Sequence, residues 1–186
     1  MINFQNISCN NWKNIKISIL GAAKSGISAA KLGLYVGAKV FISEKRELVE
    51  VGPDLSNFNC EFGGHTNAVL DSDIIIKSPG IPNNISILDQ VKHKKIPIIS
   101  EIEFASWFTT SPILALTGSN GKSTTINLLH EMCLNDGRTS LLGGNIGIPF
   151  SENVLWELKN NINNAMHVLE LSIFLQLAIL EALMCP

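Results

Sequence analysis

The sequence predicts an α/β protein: a Rossmann-like, doubly wound parallel sheet domain followed by an incomplete P-loop α/β domain. Short apolar strands alternate with helical segments along most of the 186 residues, the pattern of a parallel sheet covered by helices. Two glycine-rich turns, at residues 21–26 and 117–121, each follow an apolar strand and precede a helical segment. Such strand–turn–helix units are typical of domains that bind nucleotide phosphates.

Residues 1–110 are predicted to form the doubly wound domain. Isoleucines alternate with polar residues at 15–19 and predict the first strand. The small and apolar residues that follow predict a helix, which Gly37 ends. The remaining predicted elements are strands at 40–42, 60–62, 74–76 and 96–99, with a helix at 85–94.

Residues 111–186 are predicted to form the second domain, after a linker of small and polar residues that ends at Pro112. A buried strand at 113–116 leads into a glycine turn and a helix at 122–136, which Gly137 ends. The other predicted elements are strands at 140–142 and 168–171 and an asparagine-rich loop at 159–164.

The composition excludes several classes of protein. Charged residues make up 16% of the chain and hydrophobic residues 46%, which is too apolar for an intrinsically disordered chain. The net charge of −2 gives no electrostatic reason to expect a nucleic acid as partner. None of the four cysteines lies in a Cys-x-x-Cys pair, so we expect neither a zinc site nor a disulfide framework. Without disulfides, we expect the protein to be cytoplasmic.

The longest apolar stretch, at about 165–185, raises the question of a membrane span. Glu170, Gln176 and Glu181 lie inside this stretch, and a carboxylate at the centre of a bilayer costs about 2.5–3.5 kcal/mol. We therefore expect a buried strand followed by a helix, and no membrane span.

The most specific motif is the segment 117–124, Thr-Gly-Ser-Asn-Gly-Lys-Ser-Thr, which follows the strand at 113–116. Its glycines allow a tight turn that aims backbone N–H groups at phosphate oxygens, and the helix N-terminus adds a partial positive charge. Lys122 is suited to the β- and γ-phosphates, and the Ser123 hydroxyl to Mg²⁺. The segment is a variant, because Leu116 stands where the general pattern has glycine. The alternative is an ordinary glycine turn.

This variant resembles the T-G-x-N-G-K-[ST] loop of the Mur ligases, which join amino acids to a UDP-linked muramic acid during peptidoglycan synthesis. Four further segments narrow the resemblance to the members that add D-glutamate. They are the glycine turn Gly21–Gly26, the Ser-Pro-Gly-Ile motif in Lys77–Pro82, the Gly-Gly-Asn-Ile-Gly-x-Pro motif in Gly143–Pro149, and the Leu-Glu-Leu-Ser motif in Val168–Ser172. The resemblance extends from about residue 15 to residue 172.

The resemblance implies ATP-dependent amide-bond formation. The carboxylate of UDP-N-acetylmuramoyl-L-alanine takes the γ-phosphate of ATP, and the amine of D-glutamate then displaces phosphate from the acyl phosphate. Lys122 and Glu170 are implied as catalytic residues. Ser123 is implied as a ligand of a first Mg²⁺, and Glu170 as a ligand of a second Mg²⁺ that bridges ATP and the acyl substrate. For Glu170, the alternative is a carboxylate that caps a helix or pairs with a lysine. The residues implied in ATP binding are Thr117, Gly118, Ser119, Asn120, Gly121, Lys122, Ser123 and Thr124.

The resemblance also implies a site for the UDP-linked substrate, formed by Ser25, Glu44, Lys45, Arg46, Ser78 and Asn145. The first glycine turn departs from the dinucleotide pattern G-x-G-x-x-G, because Ala23 replaces the middle glycine. Glu44 follows the second strand, where an acidic residue often meets a ribose or base. The alternatives are a solvated turn at 44–46, a strand-ending turn at 78–80 and a left-handed asparagine at 145. His65, after Gly63 and Gly64, is interpreted as a structural or surface residue.

The pattern departs from the family near the C-terminus. After Ser172 the family continues with Ser-Phe-Gln-Leu, whereas this chain has Ile173–Leu177, as if one residue were inserted. A ligase of this type is more than twice as long, so we expect a truncated and inactive monomer in which the C-terminal domain is absent. The alternatives are a non-catalytic UDP-sugar-binding remnant and a nicotinamide-dependent oxidoreductase. The missing middle glycine and the Gly-Lys-Ser turn disfavour the oxidoreductase.

Overall fold

The computed structural model describes residues 11–47, 55 and 57–172, and these residues form two compact units that divide between Phe104 and Ala105. We refer to them as unit 1 and unit 2. The domain boundary expected from the sequence, after residue 110, lies a few residues beyond this division. The departure from the family at Ile173–Leu177 and the helix expected after the last strand fall outside the described residues.

Unit 1 is a parallel sheet with helices between its strands. In chain order its elements are β1 (Lys16–Leu20), α1 (Lys24–Tyr35), β2 (Lys39–Ser43), β3 (Asn59–Glu61), a 3₁₀ turn (Asn67–Leu70), β4 (Ile74–Lys77), α2 (Ser86–His93) and β5 (Ile98–Ser100), and α3 (Glu101–Ser106) follows. The strand order is β3-β2-β1-β4-β5 and every pairing is parallel. This order confirms the predicted doubly wound sheet.

The sheet of unit 1 is apolar because both of its faces are buried. Leu20 packs in one cluster with Ile75 and with Val91 of α2. Side chains of a strand alternate between faces, so Ile17 and Ile19 of β1, which are also buried, belong to the opposite face. Strands buried on both faces read as continuous apolar runs, as Ile74–Ile76 does.

The described part of unit 2 after α3 contains three parallel strands and two helices. Its elements are β6 (Ile113–Leu116), α4 (Lys122–Asn135), β7 (Thr139–Gly144), α5 (Phe150–Asn160) and β8 (Ala165–Glu170). The strand order is β6-β8-β7, so the last strand in sequence lies between the other two. All six residues of β8 are buried. The carboxyl ends of β6 and β8 therefore meet at the edge of the sheet from which the phosphate loop leaves.

Two helices were not predicted from the sequence, and one loop was misplaced. Helix α5 ends at Asn160, so the first two residues of the expected loop at 159–164 are helical. Its buried face includes Ser151, Asn153 and Glu157, and these polar residues hide the apolar period that predicts a helix. Helix α3 was missed because it is short and follows β5 without a loop.

The apolar stretch that begins at residue 165 starts as the predicted buried strand, β8. In the part of the chain that the structure describes, we find no helix with the length and apolarity needed to cross a membrane.

A buried polar cluster joins the segment before β6 to α5 and β8. Nε2 of His167 lies 2.8 Å from Oε2 of Glu157, and both side chains are buried. The Thr109 hydroxyl donates to the same carboxylate oxygen at 2.8 Å, and the Ser111 hydroxyl donates to the other oxygen. A buried carboxylate needs such partners because desolvation of its charge is costly. The cluster therefore fastens residues 109–111 to unit 2.

Lowering the pH below about 6.5 is expected to destabilise unit 2 through His167. Burial lowers the pKa of His167 from its usual 6.5, although the hydrogen bond and charge of Glu157 oppose this shift. The unfolded chain then binds a proton that the folded unit does not bind. The contribution to stability is complete above pH 6.5. It is lost as the pH falls towards the lower folded pKa, by at most about 1.4 kcal/mol per pH unit.

Urea unfolding of the chain and of His167→Gln between about pH 5.5 and 7.5 tests this expectation. Glutamine retains a donor for Glu157 and does not titrate. The free energy of unfolding of H167Q is expected to vary less with pH than that of the unchanged chain. Equal pH dependence in the two proteins would contradict the expectation.

Candidate functional site

The segment at 117–121 forms a loop between β6 and α4 in unit 2. Gly121 has a φ of +75° and lies immediately before the first residue of α4. This left-handed backbone favours glycine, and it allows the chain to enter the helix directly from the turn. The loop therefore presents the N-terminus of a fourteen-residue helix at the carboxyl end of β6, where a phosphate group is stabilised by backbone N–H groups.

Two side chains at the start of α4 face the loop and the end of β8. Nζ of Lys122 donates a hydrogen bond to the carbonyl oxygen of Gly118 at 2.7 Å. The Ser123 hydroxyl donates to Oε2 of Glu170 at 2.8 Å. Glu170 is the last residue of β8 and is only 5% exposed. The structure thus brings the predicted lysine, serine and carboxylate together, although 47 residues separate Ser123 from Glu170.

The donors at this point fit an oxygen-rich ligand and a hard cation. Oγ1 of Thr117 is buried and has no hydrogen-bond partner within the described ranges, so it is available to a group bound in the loop. Ser123 and Glu170 offer adjacent hydroxyl and carboxylate oxygens, which are ligand types that Mg²⁺ accepts. No group of three or more histidine, cysteine or acidic residues suited to a metal occurs among the described residues.

The remaining predicted residues of this loop are open to solvent. Besides Ser123, the exposed members of the predicted nucleotide-binding set are Ser119, Asn120, Gly121 and Thr124. Asn145 is also exposed, and its backbone N–H donates to the carbonyl oxygen of Glu170 at 2.8 Å. A Cβ atom on Gly144 would lie 2.3 Å from that same carbonyl oxygen. The Gly-Gly-Asn segment therefore packs directly against the end of β8, and the structure places Asn145 with the phosphate loop in unit 2.

Glu44 holds the glycine turn of unit 1. Its Oε2 accepts a hydrogen bond from the backbone N–H of Ala22 at 2.6 Å. Its two oxygens also accept from the guanidinium of Arg46 at 3.1 and 3.0 Å, and Oε1 accepts from the Arg46 backbone at 2.9 Å. Burial opposes the ionisation of Glu44, but the hydrogen bonds from Arg46 and Ala22 and the Arg46 charge outweigh it and lower the pKa to about 2. Glu44 is thus an anion at neutral pH.

Ser78 lies on the other side of the same turn. It is 4% exposed, and its hydroxyl donates to the carbonyl oxygen of Gly21 at 3.3 Å. Next to it, Nζ of Lys77 donates to the carbonyl oxygen of Ile81 at 2.7 Å, and burial lowers the pKa of Lys77. Lys45 is exposed, and Ser25, in the first turn of α1, is half-buried. Glu44 and Ser78 therefore contact one turn from its two sides.

A polar network beside Glu44 was not predicted from the sequence. The Ser43 hydroxyl donates to Oε1 of Glu61 at 2.6 Å and lies 2.7 Å from Nδ1 of His65. His65 is half-buried, as expected for a structural residue. The Gly-Gly-His sequence was the available signal for this network. Ser43 and Glu61 carried none, because their contacts depend on the pairing of β2 with β3.

Comparisons with known proteins agree on one family. Residues 16–87 match the MurD N-terminal domain. A UDP-N-acetylmuramoylalanine–D-glutamate ligase of Salinibacter ruber is 39% identical over 151 residues, which are 77% of this chain and 33% of that protein. The ligase of the same name from Chlorobium limicola is 43% identical over 150 residues, which are 75% of this chain and 32% of that protein.

Solved structures agree on the fold. A murein peptide ligase from Psychrobacter arcticus has a TM-score of 0.55 at 19% identity, and the match covers 87% of this chain and 39% of that protein. The UDP-N-acetylmuramate:L-alanyl-gamma-D-glutamyl-meso-diaminopimelate ligase from Neisseria meningitides has a TM-score of 0.52 at 17% identity, covering 85% of this chain and 52% of that protein.

The chain spans about a third of the length of the curated relatives that it matches. The chain belongs to the Mur ligase family and, within it, to the MurD type.

Proposed function

We propose that this chain serves ATP-dependent amide-bond formation between UDP-N-acetylmuramoyl-L-alanine and D-glutamate, a step of peptidoglycan precursor synthesis. The observation that carries the proposal is the phosphate loop with Lys122 at the start of α4 and Ser123 hydrogen-bonded to Glu170 at 2.8 Å. A lysine and a hydroxyl–carboxylate pair beside a glycine-containing loop and a helix N-terminus are suited to a nucleoside triphosphate with its metal ion. The curated relatives carry the name of this ligase.

ATP is proposed to bind through its phosphates at residues 117–124. Backbone N–H groups of the loop and the N-terminus of α4 stabilise the phosphate oxygens. Lys122, whose ammonium group donates to the carbonyl oxygen of Gly118, is proposed to contact the β- and γ-phosphates. Its positive charge then neutralises the phosphoryl group as it is transferred. Thr117 supplies a buried hydroxyl that is free to donate within this part of the structure.

Ser123 and Glu170 are proposed to hold Mg²⁺. When bound, the cation neutralises phosphate charge and orients the γ-phosphate. The Ser123–Glu170 hydrogen bond places the two oxygens next to each other. Asn145, attached through its backbone to the carbonyl of Glu170, is proposed to contact the acyl substrate or a water on the metal.

Unit 1 is proposed to bind the UDP moiety. Residues 1–110 are thus proposed as the domain that binds the UDP-linked substrate, and residues 111–186 as the domain that binds ATP. The glycine turn offers backbone N–H groups to the diphosphate, with the Ser25 hydroxyl beside them. Glu44 and the charged residues that follow it, Lys45 and Arg46, are proposed to face the uridine, and Ser78 lies across the turn.

The chemistry explains why the reaction needs ATP. A carboxylate is a poor acyl donor, because its leaving group would be oxide. Transfer of the γ-phosphate to the alanine carboxylate of the substrate, with release of ADP, forms an acyl phosphate. The amine of D-glutamate then attacks the acyl carbon, the amide bond forms, and phosphate leaves with the bonding electrons while the nitrogen loses a proton.

Calorimetric titration of the chain with UDP-N-acetylmuramoyl-L-alanine tests the assignment of unit 1. We expect binding that Ser78→Ala weakens by about tenfold, the loss typical of one hydrogen bond in a buried site. A folded chain that binds no UDP compound would refute the assignment.

A second titration with Mg·ATP tests unit 2 independently. Formation of the amide product with ADP and phosphate, when UDP-N-acetylmuramoyl-L-alanine, D-glutamate and Mg·ATP are all added, then distinguishes a chain that completes the reaction from a chain that only binds its ligands.

A further inference from the structure

The Gly-Gly-His turn at residues 63–65 is hydrogen-bonded along the loop that follows β2. The backbone N–H of Gly63 donates to the carbonyl oxygen of Arg46 at 3.2 Å, and that of Gly64 donates to the carbonyl oxygen of Glu44 at 3.3 Å. The His65 side chain adds the contact to Ser43. The turn therefore forms one wall of the loop at 44–46.

Ser43 is the point at which this wall meets the glycine turn. Its carbonyl oxygen accepts from the backbone N–H of Gly21 at 2.9 Å. The next residue, Glu44, accepts from the N–H of Ala22 at 2.6 Å. Ser43 is fully buried, so its hydroxyl depends on Glu61 and His65 for its hydrogen bonds. A shift of Ser43 would therefore move both attachments of the glycine turn.

The geometry around Ser43 assigns the hydrogen of His65. The hydroxyl has one proton, and Glu61, which is only an acceptor when ionised, takes that proton at 2.6 Å. Oγ of Ser43 is then an acceptor, so Nδ1 of His65 carries a hydrogen and donates it over 2.7 Å. Burial acts to raise the pKa of Glu61, but the hydrogen bonds from Ser43 and Thr66 outweigh it and lower that pKa.

The imidazole of His65 is held neutral. Burial lowers its pKa, while the charges of Glu61 and Glu44 act to raise it and Lys45 acts to lower it further. A neutral ring with hydrogen on Nδ1 gives two consecutive hydrogen bonds at neutral pH. His65 Nδ1–H donates to Oγ of Ser43, and the Ser43 hydroxyl donates to Glu61.

We propose that His65 is a positioning residue for the nucleotide site of unit 1, acting through its Nδ1–H on Ser43 and thereby on the Ala22–Glu44 contact. This inference rests on the proposed function of unit 1. It gives the Gly-Gly-His sequence a role beyond the structural one expected for it. His65 itself need not touch the ligand.

The experiment compares His65→Asn with His65→Gln in titrations with UDP. The amide nitrogen of asparagine lies near the position of Nδ1, whereas that of glutamine lies near Nε2. We expect H65N to bind UDP within about threefold of the unchanged chain and H65Q to bind about tenfold more weakly. The control is His93→Ala, since His93 is exposed on α2. Equal UDP affinities for H65N and H65Q, whether both retained or both lost, would overturn the proposal.

Amide hydrogen exchange at Ala22, measured in the same proteins, makes the positioning role testable without a ligand. We expect faster exchange of the Ala22 N–H in H65Q than in H65N, at equal thermal midpoints. If the unchanged chain binds no UDP, the proposed function of unit 1 fails, and this exchange difference alone decides whether His65 holds the turn. Should H65Q not fold, Ser43→Ala replaces it, with faster Ala22 exchange expected. Unchanged exchange would refute the role.

Discussion

Replacing Lys122 with alanine is expected to weaken the binding of Mg·ATP by about a hundredfold, the upper range for a hydrogen bond to a charged group. The ammonium group lies 2.7 Å from the carbonyl oxygen of Gly118, so it is already inside the loop. No other lysine or arginine occurs in the segment 117–124, so the loss of Lys122 leaves the triphosphate with backbone N–H groups and hydroxyls but no side-chain cation in that segment.

The measurement is a calorimetric titration with Mg·ATP, with Lys94→Ala as the matched control. Lys94 follows α2 in unit 1 and is exposed, and K94A is expected to bind ATP like the unchanged chain. Lys122→Arg separates charge from shape, because arginine keeps the charge but not the compact ammonium. Unchanged ATP affinity in K122A would show that the loop does not bind the triphosphate, whatever unit 1 binds.

Replacing Gly26 with alanine is expected to lower the free energy of unfolding by about 3 kcal/mol, the upper range for overpacking. A Cβ atom at this position would lie 2.0 Å from the carbonyl oxygen of Gly21 and 3.0 Å from Oγ of Ser78. The first contact is with backbone, so it cannot be relieved by a side-chain rotation, and the turn or α1 must move. The same movement separates Ala22 from Glu44, and UDP binding is expected to fall with stability.

Urea unfolding measures this effect, and Gly80→Ala is the matched control. A Cβ atom on Gly80 meets no atom within 4 Å, and G80A is expected to unfold like the unchanged chain. A G26A protein as stable as G80A would mean that α1 does not approach the turn as closely as the structure shows.

The first glycine turn shows how much a motif with a missing residue still predicts. The sequence has Ala23 where the dinucleotide pattern has its middle glycine. The last position of the pattern requires glycine for close approach between helix and strand, and Gly26 meets that requirement through its contact with Gly21. The alternation of strands and helices was likewise predictable, since burial on both sheet faces leaves long apolar runs in the sequence.

Features that depend on contacts between distant residues were not predictable. The Glu157–His167 pair places two titratable groups inside unit 2, where sequence patterns predict apolar residues. Helix α5 was missed because polar residues such as Glu157 occupy its buried positions. The Ser43–Glu61–His65 network requires β2 and β3 to be in register. Lys122 and Ser123 were found from local spacing, and Glu170 was implied by the family resemblance alone. The hydrogen bond between Ser123 and Glu170 depends on the pairing of β6 with β8.

The central place of β8 has a consequence for the order in which the chain is assembled during synthesis. In unit 1, β2 can pair with β1 as soon as it has been made, because the two are neighbours in the sheet. In unit 2, the described pairings of β6 and β7 are both with β8, so within the described ranges neither strand has a partner until β8 has been made. Until then their unpaired edges can pair with other chains. The phosphate loop thus gains the carboxylate of Glu170 only when β6, the strand that leads into it, gains β8 as its neighbour.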